Sequence, residues 1–379
     1  MQFMNASKIT RYIVMVSLLI LLIPVLSVAK TSPVLNDGKK WRIGYYEGGP
    51  YADYTETMRT LILGLMKLGW IKTAELPAIA PDSPKAYWKW LTKFGGKYLF
   101  FHDKNFYSVD WKEKKRQLHK DEILAKLKNG KLDLMIAMGS WAGQDLANQK
   151  HHIPTIVLST SDPVKAGIIK SEDDSGFDHV TARVDKDRYL RQARMFHRIA
   201  RFSTLGVAIE DGPLGDIYSA MDELKQAAAE RGFKLISCRV SETKAESLEA
   251  ADKSCLNCYR YLAQKADAVY VTALTCVDRN ISPIVALFRS QQVPSFSMTG
   301  SKHVAKGLLL SISSDSGYEA QGIYNAQKIA AILNGAKPRS LNQGFADPLE
   351  IAVNIETANI IKFKMPKSIL NIAREIYAK

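Results

Sequence analysis

The sequence lacks the motifs on which several large enzyme classes depend. Its 7 histidines include no His-Glu-x-x-His pair, which excludes the common helical zinc protease site. Neither a Gly-x-Ser-x-Gly nucleophile elbow nor a Walker-type phosphate loop occurs. A serine hydrolase built on Ser140 stays open as an alternative, but no histidine can be assigned to activate that hydroxyl. We therefore predict a protein with no catalytic residues, no cofactor and no metal site.

Cysteine is scarce, and the 4 cysteines are confined to one part of the second half: Cys238, Cys255, Cys258 and Cys276. An oxidising compartment permits disulfides among them, with three complete pairings. Cys255 and Cys258 lie inside a helical apolar pattern, whereas a thioredoxin-like pair opens a helix directly after a strand. No histidine stands nearby at zinc-ligand spacing. The pattern favours structural bridges or buried thiols over redox chemistry.

A long apolar run occurs at the N terminus. Lys8 and Arg11 precede the run at residues 13–23, and small residues follow up to Ala29. This layout is typical of a secretory signal peptide, residues 1–29, and predicts a periplasmic protein. An uncleaved membrane anchor is the alternative. The remaining chain is long enough for two α/β lobes.

Positive charge predominates, with a formal net charge of +14, of which Lys8 and Arg11 contribute two. Such a surface can attract nucleic acid, anionic lipid or acidic solutes. The basic residues are interleaved with acids, as at residues 111–116 and 185–188, and no arginine-rich tail is present. We interpret the charge as a solvated surface and expect no nucleic-acid partner.

The most informative stretch is residues 153–168, where an apolar strand runs into Ser159, Thr160, Ser161 and Asp162. Pro163 cannot donate to a sheet ladder, so the strand must end near Ser161. In an open parallel α/β sheet, the carboxyl ends of the strands line the binding crevice. The pattern indicates a ligand site, and the alternative is a turn in which Asp162 bonds its own backbone.

Alternating strand and helix patterns predict an α/β protein with two doubly wound lobes. The first lobe begins with strands at 41–46 and 132–138, which enclose an aromatic-rich insert at 76–128. We expect this insert to form a subdomain whose aromatic side chains are core rather than a stacking platform. A polar connection at 171–177 precedes the second lobe. The last section has a strand at 307–312, a helix at 318–333, a strand at 351–355 and a final helix at 367–377.

Several stretches in this order resemble the ABC-transporter substrate-binding proteins of periplasmic-binding-protein type I, in particular a subgroup linked to tryptophan and tyrosine uptake. They are residues 135–147, 153–168, 267–271, 293–297, 307–322, 351–358 and 365–370. The resemblance covers most of the exported chain except the insert. It implies two Rossmann-like lobes joined by three hinge crossings, with residues 30–163 and 306–336 in the N-terminal lobe and 164–305 and 337–379 in the C-terminal lobe.

Strand ends and resemblance together select the candidate ligand residues. In the first lobe they are Tyr46, Glu47, Gly48, Ser140, Trp141, Ser159, Thr160, Ser161 and Asp162. In the later sections they are Asp211, Thr275, Arg279, Asn280, Ser297, Asp315 and Tyr318. Besides Asp162, three of them have open alternatives: a plain helix N-cap for Ser140, packing on the insert for Trp141, and a surface salt bridge for Arg279.

These features and the resemblance predict a solute receptor that binds a small polar organic molecule, such as an amino acid. The resemblance implies a monomer that presents its solute to an ABC permease in the inner membrane. The alternative is the same two-lobed module acting as the extracellular sensor of a signalling system. An enzymatic function is disfavoured because no nucleophile and base can be paired.

Overall fold

The computed structural model describes residues 31–80, 83–312, 315–346 and 348–378, without the side chains of residues 315–317. The predicted signal peptide, residues 1–29, lies outside the described residues. In the described part of the chain, no helix has the length and the apolar composition that a membrane span needs.

The first part of the chain builds a parallel sheet with helices on both faces. Its elements are β1 Trp41–Glu47, α1 Ala52–Lys67, α2 Pro84–Phe94, β2 Leu99–Phe100, β3 Phe106–Ser108, α3 Glu113–Lys128, β4 Leu134–Met138, α4 Gly139–Leu146, β5 Thr155–Leu158 and β6 Val180–Ala182. The strand order is β2-β1-β4-β5-β6, and β3 also pairs with β1. All these pairings are parallel, as expected for strands that alternate with helices.

The aromatic insert belongs to this sheet. Its strands β2 and β3 pair with the beginning and the end of β1. The insert was expected to form a subdomain on the first lobe, but its strands are instead part of the lobe's own sheet. Tyr87, Trp88, Phe101 and Tyr107 are buried, as predicted for core aromatics. The reason is the parallel register, which requires a crossover between each pair of strands, and the insert supplies these crossovers.

The second part of the chain builds a seven-stranded sheet. Its elements are α5 Arg188–Ala200, β7 Thr204–Glu210, α6 Gly215–Tyr218, α7 Met221–Arg231, β8 Lys234–Val240, α8 Leu248–Lys265, β9 Ala268–Val271, α9 Thr275–Ser290, β10 Ser295–Ser297, α10 Ser301–Ala305, β11 Leu310–Ser311, α11 Asp315–Leu333, β12 Ile351–Asn354, α12 Ile355–Ile360, α13 Lys367–Ile372 and β13 Ala373–Tyr377. The strand order is β13-β12-β11-β10-β9-β7-β8, and the β11–β12 pairing is antiparallel.

Three positions differ from the sequence-based expectations. Strand β11 pairs with β10 and β12 in the second sheet, although it was expected in the first lobe. Strand β6 still pairs with β5 in the first sheet, beyond the expected boundary at residue 163. The expected helix at 367–377 ends at Ile372 and continues as β13. Half-buried and exposed residues alternate along β13, which is the period of a strand rather than of a helix.

Helix α11 packs against α1 and completes the first lobe. A Cβ atom added at Gly64 would lie 2.6 Å from the carbonyl oxygen of Gly322, so two glycines allow the helix backbones to approach closely. Helix α11 also contributes Ala326, Ile329 and Leu333 to the core between α1 and the first sheet. The first lobe therefore depends on residues from late in the chain.

The four cysteines form two disulfides in the second lobe. Cys238 in β8 is bonded to Cys258, and Cys255 is bonded to Cys276 at the beginning of α9, with Cα–Cα distances of 5.8 and 6.3 Å. Cys255 and Cys258 both belong to α8. One helix is thus cross-linked to an edge strand and to a second helix, which is a structural role.

Candidate functional site

A cavity of about 650 Å³ lies between the two sheets and receives side chains from both lobes. We call its two sides the first-lobe wall and the second-lobe wall. The first-lobe wall comprises Tyr51, Tyr54, Trp111, Ser140, Trp141 and Ser159. The second-lobe wall comprises Tyr189, Glu210, Tyr218, Glu242, Thr275 and Arg279.

The first-lobe wall is set by the turn between β4 and α4. Gly139 has a φ of +83°, and the hydroxyl of Tyr54 occupies the space of a Cβ atom at this position. Ser140 follows inside the helix and is 5% exposed. The N-cap is Met138, which makes no side-chain capping bond, so the plain N-cap interpretation of Ser140 is wrong. Ser140 and Trp141 both line the cavity, at the end of α4 where backbone N–H groups have no helical partners.

The residues after β5 divide into two groups. Ser159, Thr160 and Ser161 line the cavity. Asp162 does not, because its Oδ1 accepts hydrogen bonds from the backbone N–H groups of Val164 and Lys165, each at 2.9 Å. The turn interpretation is therefore right for Asp162, while the three hydroxyls before it face the cavity.

Asp53 is a cavity residue that strand-end reasoning missed, since it lies in the first turn of α1. Its two carboxylate oxygens accept hydrogen bonds from the hydroxyls of Ser159 and Tyr318. Ser159 reaches this position with a left-handed backbone, at a φ of +53°. Tyr318 was a candidate ligand residue, but it is 9% exposed and stands behind Asp53. Asp53 thus joins α1, the end of β5 and α11.

The three candidates at the end of β1 do not line the cavity. The hydroxyl of Tyr46 donates to Asp145 at 2.8 Å, within the core. Glu47 is 1% exposed and accepts a hydrogen bond of 2.6 Å from the Tyr45 hydroxyl, and burial raises its pKa to about 7. Gly48 lies beneath the ring of Trp111. The end of this strand is covered by an aromatic side chain from the insert.

Trp111 and Trp141 meet at one edge of the cavity. Their ring centroids are 5.7 Å apart in an edge-to-face arrangement. The guanidinium of Arg116 lies 4.6 Å from the ring centroid of Trp141 and donates to Asp145 at 2.9 Å. Trp141 therefore packs on the insert and also lines the cavity, so a ligand contact of its ring stays a prediction.

Two carboxylates dominate the second-lobe wall. Glu210 ends β7 and accepts a hydrogen bond of 2.8 Å from the hydroxyl of Thr243. Glu242 accepts hydrogen bonds from the hydroxyl and the backbone N–H of Thr275. Burial raises the pKa of each carboxyl, and for Glu210 the nearby charge of Glu242 adds to the rise. Because desolvated carboxylates are costly, this wall is suited to a positively charged group.

Arg279 lines the cavity but already has carboxylate partners. Its Nε donates to Asp252 at 2.9 Å, and a terminal nitrogen donates to Glu242 at 3.3 Å. The salt-bridge interpretation is therefore the observed one. Its neighbour Asn280 donates to the carbonyl of Cys276 at 2.9 Å inside the kinked helix α9 and does not line the cavity.

Two further candidates, Asp211 and Ser297, lie outside the cavity lining. Asp211 follows β7, and its backbone N–H donates to the carbonyl of Val240 at 2.8 Å. Ser297 is fully buried at the end of β10 and accepts from the N–H of Gly300 at 3.2 Å. Asp315 begins α11, and its side chain lies outside the described part of the chain.

Among the described residues, no group of three or more histidine, cysteine, aspartate or glutamate side chains is arranged to hold a metal ion. The cavity offers aromatic faces, hydroxyls and charged groups of both signs. This is the composition of a site for an organic molecule with polar ends.

Several solved structures share this architecture. A conserved domain protein from Vibrio cholerae O1 biovar El Tor is 18% identical with a TM-score of 0.66, covering 89% of this chain and 100% of that one. The ABC domain from Streptococcus pneumonia in complex with L-Trp is 18% identical, also with a TM-score of 0.66, covering 88% and 99%. A ligand-free, open substrate-binding protein with adhesive properties from Clostridium difficile is 20% identical with a TM-score of 0.59, covering 89% and 100%. These likenesses show the fold, which is that of the type I periplasmic binding proteins.

No protein of curated function matches the sequence significantly. A family model described as ABC transporter substrate binding protein matches residues 103–377. That match spans most of the chain, including β4 to β13 and most of the cavity lining. The chain therefore belongs to the ABC transporter substrate binding protein family.

Proposed function

We propose that this receptor captures a flat, polar organic solute of amino-acid-like size between its lobes and delivers it to an ABC permease in the inner membrane. The observation that carries the proposal is the aromatic lining of the cavity. Six aromatic side chains from both lobes surround it: Tyr51, Tyr54, Trp111, Trp141, Tyr189 and Tyr218. Aromatic faces favour flat ligands, because stacked rings bury apolar area and interact through their quadrupoles.

The polar groups of the cavity suit the two charged ends of an amino acid. Asp53, Glu210 and Glu242 are suited to an ammonium group, since each presents a carboxylate to the cavity. The backbone N–H groups at the beginning of α4, with the hydroxyl of Ser140, are suited to a carboxylate. L-Trp, which the Streptococcus protein holds, belongs to this class of ligand.

Contacts between the lobes support closure around a solute. Lys302 in α10 donates to Glu56 in α1 at 2.9 Å, and Lys165 donates to Glu223 in α7 at 2.7 Å. We propose that the lobes move about three crossings: residues 183–187, the connection between β11 and α11, and residues 334–350. The first lobe then comprises residues up to β6 together with α11, and the second comprises the remainder.

The family supplies further expectations for this chain. Substrate-binding proteins of ABC transporters act outside the cytoplasm, and we propose that residues 1–29 direct export to the periplasm and are then removed. We also propose that the exported protein is a monomer, performs no catalysis, and binds no nucleic acid.

A thermal-shift screen of residues 30–379 against amino acids, purines and other small metabolites tests the proposal. A solute present at about 100 times its dissociation constant adds roughly 2.7 kcal/mol of stability, which is readily measured. Aromatic amino acids and flat heterocycles should stabilise the protein most. If no flat solute raises the melting temperature, the proposal fails.

Asp53→Asn provides the matched test of the site. The substitution keeps the size of the side chain but removes its charge, so it should weaken binding of an amine-bearing solute by about tenfold or more. Asp103→Asn is the control, because Asp103 is exposed in a short turn of the insert and does not line the cavity. Equal affinities for the two variants would remove Asp53 from the ligand site.

A further inference from the structure

The segment at residues 108–112 has an unusual backbone. Asp110 and Trp111 follow one another with φ values of 52° and 58°, in the left-handed region. A bulky aromatic residue is rarely found there, because its Cβ crowds the backbone. Such strain persists only where the surrounding structure enforces it, and it concentrates at functional sites.

Trp111 is held at three points. Its backbone N–H donates to the carbonyl of Gly48 at 2.7 Å, and its indole Nε1 donates to the carbonyl of Pro50 at 3.2 Å. Its ring lies over Gly48 and Gly49, where added Cβ atoms would come within 2.5 and 2.6 Å of ring atoms. The two glycines therefore form a seat that only residues without side chains can provide.

The seated ring is oriented toward the cavity. It lines the cavity, with its centroid 5.7 Å from that of Trp141 and 6.2 Å from that of Tyr54. One face is covered by the glycine backbone, and the indole N–H is already bonded to Pro50. What the ring offers a solute is its apolar surface rather than a hydrogen bond.

We propose that Trp111 is a specificity-determining residue, and that the face opposite the glycine seat stacks on the flat group of the solute. This inference rests on the proposed function and names the part of the cavity that selects flat molecules. The insert would then discriminate flat solutes from aliphatic ones through one side chain.

Isothermal titration calorimetry of the exported chain tests the proposal with defined probes. The flat probes are L-tryptophan, L-tyrosine and adenine, and the non-flat probes are L-leucine and L-glutamine. Trp111→Ala should weaken the binding of flat probes by about tenfold, which is a usual effect of removing one stacked ring. Trp111→Phe should retain most of the affinity. Trp90→Ala is the matched control, because Trp90 stacks on Phe94 in the same insert at 4.9 Å and does not line the cavity.

Gly49→Ala tests the seat independently of the ring chemistry. Its new methyl group should displace the indole and weaken the same probes. In the Trp111→Ala background this second substitution should have no further effect, since coupled residues are non-additive. Circular dichroism shows whether each variant is folded. If Trp111→Ala does not fold, the affinities of Trp111→Phe and Gly49→Ala for the flat probes still test the proposal.

The outcomes separate the two proposals. If the native protein binds none of the flat probes, the proposed function fails and the inference falls with it. If the native protein binds a flat probe and Trp111→Ala binds it equally well, the inference alone is overturned. A tenfold loss that is confined to flat probes supports it.

Discussion

The two walls of the cavity are stabilised by different means. The first-lobe wall depends on backbone shape, with Gly139 admitting Tyr54, the Gly48–Gly49 seat beneath Trp111, and left-handed Ser159. The second-lobe wall depends on cross-links and polar pairs, because its loop at 241–247 lies between two disulfide-bonded elements. The first-lobe wall should therefore be disrupted by larger side chains at its glycines, whereas the second-lobe wall should be disrupted by reduction of its disulfides.

The two walls differ in how they are stabilised because one presents aromatic rings and the other presents carboxyl groups. The first-lobe wall presents aromatic rings, which pack together and exclude water. The second-lobe wall presents Glu210 and Glu242, two half-buried carboxyls, and the charge of Glu242 contributes to the raised pKa of Glu210. The loop at 241–247 carries Glu242, which gains little from apolar packing, so the disulfide between the elements on either side of the loop stabilises its position.

Removal of one disulfide should have the largest effect. Cys255→Ser with Cys276→Ser should lower the free energy of unfolding by about 2–5 kcal/mol. Hydrogen exchange, followed by mass spectrometry, should accelerate at residues 241–248 and remain slow at residues 48–54. Equal acceleration in the two segments would contradict the comparison. Cys238→Ser with Cys258→Ser repeats the test at the partly buried edge strand β8.

Mild acid should affect the first lobe more than the second. Burial, with the neighbouring imidazoles of His151 and His152, lowers the pKa of His179 to about 4, and His151 is lowered as well. The unfolded chain takes up protons near pH 6.5 and the folded chain does not. The stability present above pH 6.5 should therefore decline by up to about 3 kcal/mol as the pH falls to 4.

Urea unfolding between pH 7 and pH 4 measures this decline. His179→Leu should flatten the pH dependence. The rings of His151 and His179 are 4.5 Å apart, and the charge of His151 contributes to the lowered pKa of His179, so substitution of His151 should also raise the pKa of His179. A pH profile that is identical in the native protein and His179→Leu would rule out this pair as the cause.

Strand-end reasoning located part of the site because that part is local in sequence. Ser140, Trp141 and residues 159–161 directly follow β4 and β5, and a parallel sheet brings these strand ends to one edge. The same rule points to Glu210 at the end of β7. It fails at Tyr46 and Glu47, since Trp111 from a distant segment covers that strand end. A contact between segments so far apart in sequence cannot be predicted from a local sequence pattern.

The fold was predictable where the elements are long. Two doubly wound lobes follow from buried strands alternating with helices, and the structure confirms them. The prediction that β11 belongs to the first lobe was wrong. Strand β11 has only two residues, and so short a sequence does not indicate which sheet it joins. The C-terminal strand was mistaken for a helix since its apolar residues, Ala373, Ile376 and Tyr377, also fit a helical spacing.

Neutralising one acid of the second-lobe wall should stabilise the free protein. Burial raises the pKa of Glu210 in the folded state, so folding favours its neutral form and becomes less favourable as the pH rises through that pKa. Glu210→Gln should therefore increase the free energy of unfolding at pH 7 by on the order of 1 kcal/mol. Calorimetry that shows a loss of stability would argue that a charged Glu210 holds this wall together.

The ion pair between Lys302 in α10 and Glu56 in α1 should contribute least to the free energy of unfolding. Lys302→Met removes the partner of Glu56 across the lobes, although Arg59 still donates to that carboxylate. We expect a loss of about 0.2–1 kcal/mol that decreases in about 1 M salt, because Lys302 is exposed although Glu56 is buried. A loss above this range that persists in salt would show that the pair, and not the cavity lining, governs closure.

Helices α1 and α11 approach closely at Gly64 and Gly322, so the first lobe can finish folding only after α11 has been synthesised. Helix α1 is among the first elements to emerge during synthesis, but its partner emerges only after nearly all of the second lobe. Until then the first lobe lacks Ala326, Ile329 and Leu333, and one side of its core remains exposed. A chain that stops before Asp315 therefore cannot bury that side, so an N-terminal fragment is expected to aggregate rather than fold as half a receptor.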